Sequence, residues 1–423
     1  MRRRFQVVPV AVAAFLLLAV AGAICRFTSA DCHLCLLTPG GCGPASESTT
    51  LASGFSEEVV ASGLGYSISF AFIPDGYLFG TKEGLIRIWK NGALLPRPFL
   101  DLRKRVNSET LRGLLAIEAD PAFSQNGFVY LLYVRENRRT PPGGSKTVVV
   151  TRVTAAGDRT VATRERILLG SKIADSCNDL PSSADCIPAD GEHSGGDISV
   201  SGDGIVFVAT GDGSTTGDLG NSLRSQNIDS LGGKVLRVNR DGEGVADNPF
   251  WTGDRNGNRS KVWAYGLRNP FRMTLGPRGE VVVADVGWNT SEEVNIANRG
   301  ANLGWPCFEG DSRPRLYASS SVCRALYRRG DAVAPVFAYP TVGGGSRSSV
   351  TGGDFLRDDL YVYGDWSRDW LRSIDLRRKA RGFAVGRQIK SAAGRPVEIA
   401  AGPDGAIYYL GGSGELRKIS YDR

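Results

Sequence analysis

Pro74-Asp75-Gly76-Tyr77-Leu78-Phe79-Gly80, leading into Leu85-Ile86-Arg87-Ile88-Trp89, is nearly repeated at the other end of the chain. The second copy is Pro403-Asp404-Gly405-Ala406-Ile407-Tyr408-Tyr409-Leu410, leading into Leu416-Arg417-Lys418-Ile419. Each copy is a tight turn followed by two short β-branched and aromatic runs of alternating character, the pattern of a hairpin. Weaker copies start near Gln125-Asn126-Gly127, Gly202-Asp203-Gly204, Pro277-Arg278-Gly279 and Arg357-Asp358-Asp359. The spacing is roughly 45 to 80 residues, which four strands and their loops would fill. Long helical periodicity is absent after the amino-terminal segment. The repetition therefore predicts an all-β fold, a six-bladed β-propeller with four-stranded blades, in which ring closure removes most exposed sheet edges.

Composition agrees with that reading. The 423 residues include 54 glycines, two methionines and 42% apolar side chains, which describes a compact, turn-rich chain with a large core. The net charge of +7 is scattered, and basic stretches have acidic neighbours, as between Arg237 and Asp247. Without an aromatic-basic surface motif, that charge reads as a solvated surface and not as a nucleic-acid site.

Met1-Arg2-Arg3-Arg4 precedes an uncharged, mainly apolar run over 5–24, the pattern of an export signal or signal anchor, about long enough to span a bilayer. Residues 1–24 are accordingly read as signal peptide or membrane anchor, 25–53 as a Cys-containing linker and 54–423 as the propeller. Either form of the amino terminus places the folded domain outside the cytoplasm. Eight cysteines suit that compartment. Cys177 with Cys186, and Cys307 with Cys323, make two local disulfides the simple assignment. Cys25, Cys32, Cys35 and Cys42 are read as disulfides or free thiols, with a zinc site that includes His33 as the alternative.

The longest insertions, at 135–145, 170–192, 246–260 and 307–334, are expected to carry the site at one end of the channel. His193, in Gly191-Glu192-His193-Ser194-Gly195-Gly196, is the only histidine of the predicted folded domain. Read alone, it is either a general base or a loop residue that bonds a neighbour. Arg268-Asn269-Pro270 ends an aromatic strand, where the arginine either meets a carboxylate or oxyanion or bridges two blades. The turn from Asp285 through Gly287 and Trp288 to Glu292, Glu293 and Asn295 offers oxygens to a hard cation, or simply caps strands. Asp212-Gly213-Ser214 and Asp241-Gly242 read as turns. No nucleophile elbow, phosphate-binding loop or zinc histidine pair is present.

Taken in order, the motifs resemble one family. Arg112-Gly113-Leu114-Leu115, Glu192-His193-Ser194-Gly195-Gly196, Leu231-Gly232-Gly233-Lys234-Val235-Leu236-Arg237, Trp263-Ala264-Tyr265-Gly266-Leu267-Arg268-Asn269-Pro270, Ala284-Asp285-Val286-Gly287, Asn302-Leu303-Gly304-Trp305-Pro306 and Tyr361-Val362-Tyr363-Gly364-Asp365 are similar to those of the soluble glucose/sorbosone dehydrogenases. The likeness runs from about Phe55 to the end of the chain.

The resemblance implies a six-bladed propeller that binds pyrroloquinoline quinone (PQQ) and calcium and oxidises the anomeric hydroxyl of an aldose to the lactone. It implies His193 as the base, Arg268 stabilising charge on the reduced cofactor and Asn269 bonding PQQ. Carbonyls of Gly287 and Trp288 would hold one calcium, and Glu293 a second. An external electron acceptor completes the turnover. The chain departs from the pattern at Leu111, where a glutamine is expected, and at Glu192, in place of aspartate. Ser367 and Arg368 stand near an expected lysine. Of two late arginines only Arg395 is matched, Val397 taking the other place, so Arg395 is an expected carboxylate partner, with Arg368 or Arg347 as the substitute for the other. The alternatives are a ligand-binding propeller without redox chemistry and a calcium-dependent lactonase or hydrolase, for which an acidic channel set is not evident.

Overall fold

Five of the six turns are described, and they occupy one equivalent place. In the computed structural model, which describes residues 50–423 other than 138–139, 157–160, 216, 344–345, 358–359, 378–385 and 422–423, each turn joins the first and second strands of a blade. The local reason is backbone conformation. Asp75, Gly127, Gly204, Gly279 and Gly405 have φ of 64°, 65°, 85°, 84° and 76°, a region that glycine and short polar residues tolerate best. The fifth of the six turns, at 358–359, lies outside the described residues, as do 1–49 and their four cysteines.

Every blade is an antiparallel sheet ordered from the channel outward. The innermost strands are Ser67–Ile73, Leu114–Ala119, Asp197–Val200, Pro270–Leu275, Val350–Arg357 and Pro396–Ala401, for blades 1 to 6. They follow one another around the ring, and the last packs against the first. Blades 1 and 2 carry one extra short strand each, Leu100–Asp101 and Ile187–Ala189. Blade 6 is closed by the first described strand. Phe55–Ala61 pairs with Glu415–Tyr421, with Phe55 opposite Tyr421. Glu57 on that strand accepts from Lys390 Nζ at 2.6 Å and from the Tyr409 hydroxyl at 2.6 Å.

The apolar core lies between blades, where side chains such as Leu132, Val208 and Leu236 are removed from water. Burying each contributes about 1.5–3 kcal/mol. The inner strands are also laced by polar side chains. Ser69 Oγ accepts from Ile117 N at 2.9 Å, Asp197 Oδ2 from Met273 N at 2.8 Å, Asp354 Oδ2 from Ala401 N at 2.8 Å and Glu398 Oε2 from Phe70 N at 2.6 Å. Arg272 donates to the carbonyls of Ile68, Leu115 and Val397 on three other inner strands and of Gly196, the residue before a fourth. The channel thus does contain acidic side chains, but three of them bond the amides of the next blade.

Both predicted disulfides are present, Cys177–Cys186 and Cys307–Cys323. The long insertion between the third and fourth strands of blade 4 starts at the end of the ring opposite the cleft described below. It returns along the outside: Leu303 N donates to Tyr265 O at 2.8 Å and Trp305 N to Gly266 O at 3.0 Å. That route delivers Trp305 to the channel mouth. Among the described residues, no helix is long and apolar enough to cross a membrane.

Candidate active site

The beginnings of the inner strands form a cleft of about 250 Å³, whose lining includes Tyr66, Leu111, Asn269, Val286, Trp366 and Val397. Glu192 and Gly195, on either side of His193, also line it. His193 itself is 3% exposed.

The hairpin of blade 3 positions that histidine. Asp197 stands opposite Ala209, and continuing the register beyond the strands brings His193 beside Gly213, whose N–H donates to His193 O at 2.8 Å. The approach requires Gly211, because a Cβ there would sit 2.2 Å from His193 O. The next side chain, Asp212, meets the imidazole: His193 Nδ1 lies 3.0 Å from Asp212 Oδ1. The same oxygen accepts from Ser214 N at 2.8 Å and Ser214 Oγ at 2.7 Å, and Oδ2 accepts from Trp305 Nε1 at 2.8 Å.

Burial opposes the Asp212 charge, yet His193, the Ser214 amide and Arg268 together hold the carboxyl down to about 2. An ionised carboxylate only accepts, so Nδ1 of His193 carries the proton of that bond; in the neutral form of the ring the lone pair is then on Nε2. Asp212, which reads as a turn residue in the sequence, is therefore the partner that fixes the tautomer. Its signal was the strand register, which periodicity alone does not supply.

Arg268 and Asn269 reach the same place through a second carboxylate. Asp285 Oδ2 accepts from Arg268 N at 2.9 Å and Oδ1 from Asn269 N at 2.6 Å. Burial, only partly offset by these bonds, pushes the Asp285 carboxyl up to about 7. Arg268 Nη1 donates to Val286 O at 2.8 Å, its guanidinium lies 5.5 Å from the Trp305 ring centre, and its buried Nε has no partner.

The adjoining turn is organised by Glu309, which the sequence did not single out. Its Oε1 gathers the amides of Trp288, Asn289, Thr290 and Ser291 at 2.6–3.3 Å. The carbonyls of Gly287 and Trp288 take no part in that cap. Glu293 lies behind, accepting from Gly310 N and from Asn295 Nδ2 at 3.2 Å. Burial and the nearby Asp285 push its carboxyl up to about 8, and the buried Asn295 Oδ1 has no partner. Among the described residues, no three His, Cys, Asp or Glu side chains are grouped so as to hold a metal.

The predicted arginines part company. Arg395 does not itself line the cleft, but its guanidinium lies 5.0 Å from the centre of the ring of Trp366, which does. Arg368 turns to the seam of blades 4 and 5, donating to Pro340 O at 3.0 Å and lying over Tyr339 at 5.9 Å. Leu111 is 58% exposed at the mouth, and Val397 also lines the cleft while its carbonyl serves Arg272.

The closed ring of six blades brings a buried Asp–His pair, an Arg-Asn dipeptide and a capped Gly-Trp turn to one channel mouth. The sequence profile of the family "Glucose / Sorbosone dehydrogenase" matches residues 64–418, and the chain belongs to that family. An aldose sugar dehydrogenase of Escherichia coli is 27% identical over 382 residues, 86% of this chain and 92% of that one. The crystal structure of the soluble Escherichia coli enzyme in its apo-form superposes with a TM-score of 0.64 at 22% identity, covering 87% of this chain and 99% of that one. The PQQ-bound aldose sugar dehydrogenase of Streptomyces coelicolor gives 0.62 at 20% identity, over 88% of this chain and all (100%) of that one. These structural likenesses establish the propeller fold.

Proposed function

We propose that the protein oxidises the anomeric hydroxyl of an aldose to the lactone, using PQQ and calcium at the cleft and an external electron acceptor. The observation that carries this reading is the buried Asp212–His193 pair beside Arg268 and Asn269. The names of the relatives, aldose sugar dehydrogenases, support the substrate class.

The residues fit a flat polycarboxylate. Trp366, Asn269 and Lys82 line the cleft, Lys82 Nζ donating to Thr110 O at 2.6 Å, Arg395 lies over the Trp366 ring, and Arg268 has an unpartnered buried donor. Arg368 would join them only by leaving Pro340. The carbonyls of Gly287 and Trp288 suit calcium, and Glu293 with the orphaned Asn295 Oδ1 suits a second ion. When bound, PQQ supplies a two-electron acceptor and calcium a Lewis acid.

The side chains supply the proton chemistry. Nε2 of His193 takes the hydroxyl proton as the C–H hydrogen leaves with its electron pair, so positive charge does not accumulate on the sugar. Asp212 stabilises the imidazolium that forms. Arg268 stabilises the negative charge delivered to the cleft. The two disulfides support a location outside the cytoplasm, with the segment 1–24 as signal or anchor.

Purified protein is titrated with PQQ and calcium while cofactor absorbance and dye reduction with an aldose panel are followed. Binding and sugar-dependent reduction, both lost without calcium, are expected. Neither binding nor reduction refutes the dehydrogenase. His193→Ala should abolish turnover with the fold intact, and undiminished activity removes it as base. A ligand-binding propeller is the second reading, favoured by Leu111 and Val397, which put apolar groups on the cleft wall. Sugar binding without reduction in the PQQ- and calcium-loaded protein would select it. A hydrolase is disfavoured because Asp197, Asp354 and Glu398 are engaged by strand amides.

A further inference from the structure

We infer that Trp305 is a positioning residue for His193: its indole N–H holds the outer oxygen of Asp212 and so sets the imidazole that Asp212 orients. The inference rests on the reading of His193 as the base, but its geometric part stands without it.

The two oxygens of Asp212 are unequally served. Three donors converge on Oδ1, namely His193 Nδ1, Ser214 N and Ser214 Oγ. Among the described residues, Trp305 Nε1, at 2.8 Å, is the donor to Oδ2. A carboxylate turns easily about its terminal torsion, because that torsion is broad. Without the indole, Oδ2 would be a fully buried, charged oxygen lacking its donor, a costly state that rotation toward the Ser214 and His193 donors would relieve. Rotation would trade the single Oδ1–imidazole bond for a shared and poorly aligned one.

The indole cannot easily yield. Trp305 is 4% exposed and packs edge-on against Trp288 and Tyr317, with ring centres 6.4 Å and 5.6 Å away. Its backbone is tied to Gly266 O, and the adjoining segment is stapled by Cys307–Cys323. Tyr317 in turn donates from its hydroxyl to Ser222 Oγ at 3.2 Å, and Ser222 Oγ lies 3.0 Å from Ser214 Oγ. The excursion of blade 4 therefore grips the Asp–His pair from two sides, through Trp305 and through Tyr317. The Trp305 ring also lies beneath Arg268 and beside Trp288, so one side chain touches the proton-transfer pair, the cation and the Gly-Trp turn. The other charged groups facing Asp212 are Arg268, Arg224, Lys234 and Asp285. None of these donates to Oδ2.

The test uses two replacements, Trp305→Phe and substitution of Trp305 by its benzothiophene isostere, which keeps the bicyclic shape and lacks only the N–H. The full chain has two histidines, so ¹⁵N-histidine labelling resolves His193 directly. In the unaltered protein the Nδ1–H tautomer should dominate, with a slowly exchanging proton. Both variants should speed that exchange by at least about tenfold, with the melting temperature of the isostere near that of the parent. In the protein loaded with PQQ and calcium, kcat should fall by about tenfold or more while KM stays within about twofold. Unchanged His193 signals in both variants overturn the inference, as does unchanged kcat in an active enzyme. If the parent shows no aldose oxidation, the proposed activity has failed, and the histidine signals alone still decide whether Trp305 positions the ring.

Discussion

Arg272 Nε donates to the main-chain oxygen of Val397 at 3.1 Å, joining the inner strands of blades 4 and 6 across the channel. With its bonds to Ile68, Leu115 and Gly196, one guanidinium satisfies carbonyls from four other blades. Removing a donor strands buried acceptors, and here it also leaves Asp197 and Glu398 without their nearest cation. Arg272→Met should cost about 3–5 kcal/mol in denaturant unfolding. A loss below about 1 kcal/mol would mean that the ring does not depend on this plug.

The same channel predicts a pH dependence. Burial pushes Asp197 and Glu398 above the ordinary carboxylate range, with Arg272 opposing. The folded chain then retains protons that the unfolded chain has lost, so this contribution to stability is present at low pH and disappears as pH rises toward neutrality and beyond. Glu398→Gln should flatten the decline in melting temperature between about pH 5 and about pH 8. Parallel curves for parent and variant would rule out Glu398 as a source of the slope.

Asp120 works in the opposite sense. Burial opposes its charge, but Arg240, at 2.8 and 3.0 Å, and the Tyr130 hydroxyl, at 2.9 Å, hold its carboxyl down to about 2. Its stabilisation exists above the ordinary aspartate range and is lost as pH falls toward about 2. Asp120→Asn should cost about 1–3 kcal/mol at neutral pH, the lower figure allowing for the part-exposed arginine. The difference should shrink on acidification, and a constant difference would point to packing.

Much of the ring could be read from residues. The Asp/Gly turns recur because the five described first hairpins each need a left-handed residue, and that requirement shows in single letters. The disulfide pairs followed from spacing. Asp212, Trp305 and Glu309 did not, because each acts through a partner distant in the chain: Trp305 meets Asp212 across 93 residues. The acids of the inner strands were equally hidden, since Asp197 and Glu398 sit in strands whose alternation says only that they face the channel. Arg368 shows the reverse limit, a residue named by position whose side chain turns to Pro340 and Tyr339.

Asp212→Asn keeps the size of the side chain and removes its charge. An amide can present its own donor to His193 Nδ1 and so favour the other tautomer. The kcat of the PQQ- and calcium-loaded enzyme should fall by about 10³–10⁴, with KM and melting temperature little changed. Retention of more than about a tenth of the parent rate would show that His193 does not need this partner.

The first strand, Phe55–Ala61, completes the same sheet as the last, Glu415–Tyr421. During synthesis that strand emerges long before its partner. Until the final hairpin arrives, its main-chain groups form an unpaired edge, able to join strands of other chains. Closing the ring also means a contact between residues more than 360 apart, Phe55 with Tyr421, which is a slow kind of step. Assembly of blade 6 therefore waits on two strands far apart in the chain, and loss of either Phe55–Ala61 or Glu415–Tyr421 leaves that sheet incomplete and the newborn chain open to misassembly.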